Sequence, residues 1–298
     1  MTTRKADSMT LDALISAYED ERSSPDSLAH AASVEYLESY RSIVEYLTAK
    51  GSNRKNYRHY APRRRIKSIL DGSTFYLTDG SNWNDKYDRD NFNPYFSGFR
   101  RFGICFSAAT SESIAMWMLY GGIDGNGAMI NFDKETLGTA VTASDYECGY
   151  FDEDKKFRVV TSLNAGVIDF KLVDVLYFSG VGSDGRRTVG RAGRSKKASI
   201  SAEGLEGITQ IAKHEAWSYE SEVRLVATIN RLDLPGNASR ITAIRMPFQQ
   251  SDDLAKEKVF DSPVATTKGE FRDSALQGTV DWNLCLGCKR AESGFREG

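Results

Sequence analysis

Only three histidines occur in the 298 residues, His30, His59 and His214, and no two stand at ligand spacing. That scatter gives no support to a histidine-built metal centre or to a Ser-His-Asp triad. No Gly-x-Ser-x-Gly elbow is present either. Cysteine is nearly as scarce, with four: Cys105, Cys148, Cys285 and Cys288. Cys285 and Cys288 form one C-x-x-C, but a structural zinc site needs two further ligands, so no metal is expected. No apolar run approaches the roughly 18 residues of a membrane helix, and the first residues lack the apolar stretch of a secretory signal. Charge of one sign is also missing. A formal net charge of −2 argues against a nucleic-acid scavenger or an acidic-tail protein. The expectation is a cytoplasmic protein with reduced thiols.

What is present is ordinary globular material, 40% hydrophobic and 27% charged. Residues 10–22 and 25–50 read as helices, the second from apolar positions recurring at three- and four-residue steps. Ser24 is its expected N-cap, Pro25 its first residue and Gly51 its stop. Residues 1–52 are read as a helical N-terminal extension, and 53–298 as the core domain. From about Tyr57 short strand patterns follow one another at 74–78, 102–107, 127–132, 171–178, 222–229 and 241–248. Helical patterns lie between them at 63–72, 111–121 (Ser111 as N-cap) and 201–217. Short strands and helices without βαβ alternation imply an α+β fold of mixed, mostly antiparallel sheets with flanking helices. The stretch 180–199 is rich in Gly and Ser and reads as a flexible basic loop. Its Arg186, Arg187, Arg191, Arg194, Lys196 and Lys197 suit phosphate-bearing partners, positioning rather than reading them.

Among the motifs, Gly122-x-x-Gly125-x-Gly127 lacks the Lys-Ser/Thr of a P-loop and precedes a strand, so it is a turn. Cys105, in a strand pattern, reads as a buried thiol rather than a nucleophile. Glu220-x-Glu222 stands at the mouth of a strand, behind Trp217 and Tyr219. Alternation puts Val223, Leu225 and Ala227 on the core face, and Glu220, Glu222 and Arg224 on the other. The plain reading of that face is a solvated Glu-Arg pairing of little energetic weight. The functional reading is a carboxylate pair beside an aromatic wall: one stabilises a developing cation, the other orients or deprotonates an attacking group.

Several segments together resemble an uncharacterised bacterial domain-of-unknown-function family, family 2971. They are Cys105 to Ser107; Met116, Trp117 and Tyr120; Gly127, Ile130 and Phe132; and Lys213, Trp217, Tyr219, Glu220, Glu222 and Arg224. Asn82 to Asp88 resembles its Phe-Asn-Asp-Pro segment, with Trp83 for the Phe and Lys86 for the Pro. The resemblance spans about Tyr57 to Thr228. More distantly, the chain is similar to ADP-ribosyltransferases, which carry an Arg or His on an early strand, a Ser on a middle strand and Glu/Gln-x-Glu at the start of a late one. Here these are Arg58 or His59, then Ser107, then Glu220-x-Glu222; Phe-Ser-Ala stands where those enzymes have Ser-Thr-Ser.

That similarity implies an ADP-ribosyltransferase-like core and NAD as substrate. It implies that Glu222 stabilises the sugar cation and Glu220 activates the acceptor. It implies that Ser107 holds Glu222, that His59 or Arg58 binds the NAD ribose or phosphate, and that Trp117, Tyr120 and Tyr219 line the nicotinamide pocket. The acceptor is a protein or a nucleic acid, and relatives of this kind often act as toxins or in phage defence. On this reading Glu222→Gln abolishes turnover and leaves the melting temperature nearly unchanged. Two alternatives stay open: a non-catalytic binding or interaction module on the same fold, and a metal-dependent hydrolase using Asp85, Glu220 and Glu222.

Overall fold

Arg63–Gly72 is the helix that the sequence marks most clearly. Pro62 precedes it with φ −53°, Ile66 and Ile69 are its buried residues, and the chain leaves it through Ser73, whose φ of 45° is left-handed. The amide of Ser73 closes the helix on the carbonyls of Ile69 and Leu70, the role glycine usually takes. In the computed structural model the described residues are 40–94, 97–111, 113–121, 126–181, 187–189, 198–200, 208–250, 259–261, 270–272 and 279–281. The helix expected at 10–22, the start of that at 25–50, Gly122 and Gly125, most of 180–199 with its basic side chains, and Cys285 and Cys288 lie outside them.

In chain order the elements are α1 (Tyr40–Ser52), β1 (Tyr57–Pro62), α2 (Arg63–Gly72), β2 (Thr74–Thr78), α3 (Lys86–Asn91) and β3 (Phe99–Ser107). Next come α4 (Ile114–Met116), which runs into a π turn (Trp117–Gly121), then β4 (Gly127–Phe132), α5 (Lys134–Ala140), β5 (Asp145–Phe151), β6 (Phe157–Asn164), β7 (Ile168–Asp174) and β8 (Leu176–Val181). The remaining strands are β9 (Arg187–Val189), β10 (Ala198–Ile200), β11 (Ala212–His214), β12 (Glu222–Asn230), β13 (Ala243–Pro247), β14 (Val259–Asp261), β15 (Glu270–Arg272) and β16 (Thr279–Asp281). This is an α+β arrangement with a mostly antiparallel sheet. No described helix is long and apolar enough to cross a membrane.

β3 organises the main sheet. Its full length pairs with β12, from Glu222 opposite Ser107 to Asn230 opposite Phe99. Its other edge meets β1 at Ser107 and β2 at Gly103. A strand has two edges, so the sheet forks there: β1 continues to β4 and β14, while β2 continues to β13, β5 and β6. β12 carries β7 on its far side. One face of β3 and β12 presents Phe102, Ile104, Phe106, Val223, Leu225 and Ala227 to the apolar core, together with Ile66 and Ile69 of α2. The opposite face carries Cys105, Ser107, Glu222 and Arg224.

Several expectations change. The strand read at 171–178 breaks at Val175, where the chain leaves β7 and enters β8 of a second sheet ordered β10-β9-β8-β11. Two short strands, β9 and β10, pair inside the stretch that composition reads as a loop. The helix read at 201–217 is, over its described part, a 3-10 turn at Thr209–Ile211, strand β11 and a second 3-10 turn at Glu215–Glu220. Tertiary pairing wins there: β11 lies parallel to β8, with Lys213 opposite Tyr177.

Gly51 does not stop α1, which runs on to Ser52. It lets the helix touch β7 instead, since a Cβ at Gly51 would fall 2.5 Å from the Leu172 carbonyl oxygen. Arg54 pairs with Asp174 at the same junction. Gly51→Ala is expected to cost about 1–3 kcal/mol, read as a lower urea midpoint with an unchanged slope.

Candidate functional site

Register brings three of the expected residues into one row. Arg58 of β1 faces Ser107 of β3, and Ser107 faces Glu222 of β12. Directly opposed residues share a sheet face, and three neighbouring strands span roughly 10 Å. His59 takes the other face of β1. Its ring lies edge-on to Phe106, 6.2 Å between centroids, and its Nδ1 meets the Cys105 carbonyl at 3.1 Å. Burial, and then Arg65, lower its pKa to about 4, so it is neutral. Arg58 is thus the residue that shares the carboxylate face. Its Nη2 donates to the Thr110 carbonyl at 3.3 Å, while its Nε and Nη1 are buried without hydrogen-bond partners.

The carboxylates are not on a solvated face, which overturns the plain reading. Glu220 and Glu222 are 3% and 4% exposed, and Arg224 is fully buried. Glu222 Oε1 accepts from Arg224 Nε at 2.5 Å, and its Oε2 accepts from Lys213 Nζ at 3.1 Å. Lys213 also donates to Glu220 Oε2 at 2.6 Å. Arg224 Nη2 donates to Asp88 Oδ2 at 2.6 Å. Each cation is covered by an indole: Lys213 Nζ lies 4.8 Å from the Trp217 ring centre, and the Arg224 guanidinium 4.9 Å from that of Trp83. Asp88 Oδ1 is buried without a partner.

Glu220 does not lie in the strand. It ends the 3-10 turn, and Ser221 turns the chain with a left-handed φ of 45° before β12 begins. That kink lets carboxylates from two different elements converge on one ammonium. Their environments then split them. Burial alone would raise Glu222, but Arg224 and Lys213 outweigh it and hold its carboxyl well below the usual range. Burial and the Glu222 charge push Glu220 up to about 7, against Lys213 and Tyr120. Burial also raises Asp88, against Arg224. Two carboxyls with separated affinities for a proton are the pattern of an anion beside an acid or base.

The helix read at 111–121 shortens to α4, which starts after Ser113 rather than Ser111 and without a side-chain cap bond, and widens into the π turn. Trp117 is buried with Tyr60, Met116 and Met129, edge-on to Tyr60 at 4.9 Å. Tyr120 packs against that cluster, and its hydroxyl donates to Glu220 Oε1 at 2.6 Å. Tyr219 is 38% exposed beside Trp217. Ser107 Oγ accepts from the Ala109 amide at 3.4 Å, and the groups that hold Glu222 are Arg224 and Lys213. Cys105 is a free, partly buried thiol. Lost hydration and the Glu222 charge raise it far above its usual value, which disfavours the thiolate. Asp85 caps α3, accepting from the Tyr87 amide at 2.9 Å, and the carboxylate that joins the cluster is Asp88. Among the described residues no group of three His, Cys, Asp or Glu is placed to hold a metal.

A family model matches residues 116–225 of the chain. That family is DUF2971, described as Protein of unknown function. The matched segment takes in Tyr120, Lys213, Glu220, Glu222 and Arg224, while Arg58, Asp88 and Ser107 precede it. DUF2971 similarity therefore covers the strand mouth and the π turn, and the described fold supplies the rest of the site. No curated protein and no solved structure matches the chain.

Lys213 and Asp88 were the residues that sequence reasoning placed in no role. Lys213 stands in an expected helix, and Asp88 is one of many surface-like acids. The signal for Lys213 is its place at the head of the segment, Lys213 to Arg224, that resembles family 2971. Because Arg224 balances two buried carboxylates, Arg224→Ala is expected to destabilise the protein by about 3–5 kcal/mol, measured by urea unfolding. Glu222→Gln, expected from the sequence to be silent in stability, strips the same buried counter-charge and lowers the melting temperature as well.

The pH dependence follows from Glu220. Its folded pKa, about 7, lies above its ordinary 4.5. Between those values the folded chain keeps a proton that the unfolded chain has released, so this contribution to stability is lost as pH rises through the window. Glu222 acts oppositely, below 4.5. From about pH 5 to 8 the wild type should lose stability more steeply than Glu220→Gln, in urea midpoints taken across that range.

Proposed function

We propose that this chain is an ADP-ribosyltransferase-like enzyme that cleaves NAD and transfers the ADP-ribose to a macromolecule. The observation that carries the reading is the Arg58–Ser107–Glu222 row across three adjacent strands, with Glu220 beside it. Glu222, held ionised, suits the cation that forms at the sugar carbon as nicotinamide leaves. Glu220, near neutrality in its proton affinity, suits removal of the acceptor's proton. Arg58, with two buried donors unmatched, suits the pyrophosphate. Tyr219, partly exposed, suits contact with a flat ring. A cytoplasmic setting, a bacterial source and a role as toxin or in phage defence belong to the same reading.

A second reading has its own support. The Glu222 oxygens are already occupied by Arg224 and Lys213, as in an ionic keystone of a non-catalytic binding module. The deciding experiment incubates purified protein with labelled NAD and cell lysate, following nicotinamide release and label transfer, with nuclease and protease arms to name the acceptor class. Transfer is expected. No release, no transfer and no rise in melting temperature with NAD would leave the keystone reading. Arg58→Ala is expected to weaken NAD binding about ten- to a hundredfold, the worth of a charge-assisted hydrogen bond, in a thermal-shift titration.

A further inference from the structure

Glu220 cannot meet an acceptor directly, because it is 3% exposed and both its oxygens are engaged. Oε2 accepts from Lys213, and Oε1 accepts from Tyr120. Of those two donors Lys213 is itself buried, 4% exposed, whereas Tyr120 is only partly buried. Tyr120 also sits in a π turn, a geometry that recurs at functional sites. Its neighbours Met118 and Leu119 are exposed apolar residues, as is Tyr219 next to Glu220. Of the two donors to Glu220, Tyr120 is therefore the residue less removed from the surface.

We propose that Tyr120 is a catalytic residue of the site, the relay through which Glu220 takes the acceptor's proton. This rests on the transferase reading above. In the step, the acceptor's O–H or N–H proton passes to Tyr120 Oη while the phenol's own proton passes to Glu220 Oε1. The acceptor's lone pair forms the bond to the ribose carbon. The bond from that carbon to the nicotinamide nitrogen breaks, and its electron pair leaves with nicotinamide. Glu220 ends neutral and the tyrosine ends as it began. Tyr120 need never exist as a free phenolate, and burial together with the Glu220 charge keeps it protonated. The other charges facing Glu220 are Lys213 of β11, Glu222 and Arg224 of β12, and Asp88 of α3. None of these is an exposed donor.

The test has one arm that needs no NAD. With carboxyl-labelled Glu and ring-labelled Tyr, NMR should show Glu220 and Tyr120 titrating together near pH 7. In Tyr120→Phe the Glu220 midpoint should rise by about half to one pH unit, since a donor to its charged form is gone. In the second arm Tyr120→Phe should lose at least about a hundredfold in label transfer while still showing the NAD-induced thermal shift. A Tyr120 signal that stays flat through the Glu220 titration overturns the relay, even if the variant fails to fold. So does wild-type transfer by a folded Tyr120→Phe. Wild-type protein that leaves NAD intact would remove the transferase reading, and the common titration would then decide alone whether the pair shares a proton.

Discussion

Lys213, Arg224, Asp88, Glu220 and Glu222 sit where water is nearly excluded, and their charges do not cancel. Three carboxylates face two cations. Burying an uncompensated charge is costly, so the excess is relieved by a proton. Glu220 and Asp88 are the carboxyls that burial raises, whereas Glu222 is gripped by a guanidinium and an ammonium; Glu220 shares that ammonium and otherwise has only a phenol. The asymmetry between the two carboxyls is therefore a product of who donates to each. The indoles of Trp83 and Trp217 close the cluster over both cations.

Assembling that cluster takes four separate pieces of chain. Asp88 comes from α3, Lys213 from β11, Glu220 from a 3-10 turn and the Glu222–Arg224 pair from β12. β3 holds them in place because it is paired along its whole length with β12 and forks on its other edge into two branches. The fork sends β1, with Arg58, alongside the end of β3 where Ser107 and Glu222 meet. The break at Val175 sends β8 over the start of β12, where the Glu222 amide donates to the Tyr177 hydroxyl at 2.8 Å. The π turn then brings Tyr120 to Glu220 while Trp117 stays in the apolar cluster beneath. Fold and site are thus one problem: the turn at Ser221 and the π turn are what bring Glu220 and Tyr120 together.

Much of the main sheet was legible in the sequence. The strands at 74–78 and 127–132 and the helix at 63–72 are found at the residues where pattern placed them, since dense β-branched and aromatic runs and an isoleucine pair at helical spacing leave few alternatives. The hairpin of β5 and β6 was missed. β6 buries only Leu163 of its eight residues, so it lacks the alternation on which a strand assignment rests. The helix at 201–217 was misread because a long amphipathic pattern outweighs a three-residue strand that exists only through its pairing with β8. For the site, the row of Arg58, Ser107 and Glu222 was visible as an ordered set of motifs, but the choice between Arg58 and His59 was not.

Sequence alone determined the kind of protein this is: an α+β chain whose Glu-x-Glu precedes a core strand, with Arg58 and Ser107 earlier in the chain. The fold class follows from local periodicity and composition, which act over a few residues, while Arg58 and Ser107 stand out only through the resemblance to ADP-ribosyltransferases. The tertiary structure decided that the carboxylates are buried, that Lys213 and Asp88 complete them, that Arg58 and not His59 shares their face, and that the Tyr120 hydroxyl donates to Glu220. These depend on contacts between residues up to 136 positions apart, such as Arg224 with Asp88. Only folding sets the dielectric around a charge and the identity of its partner.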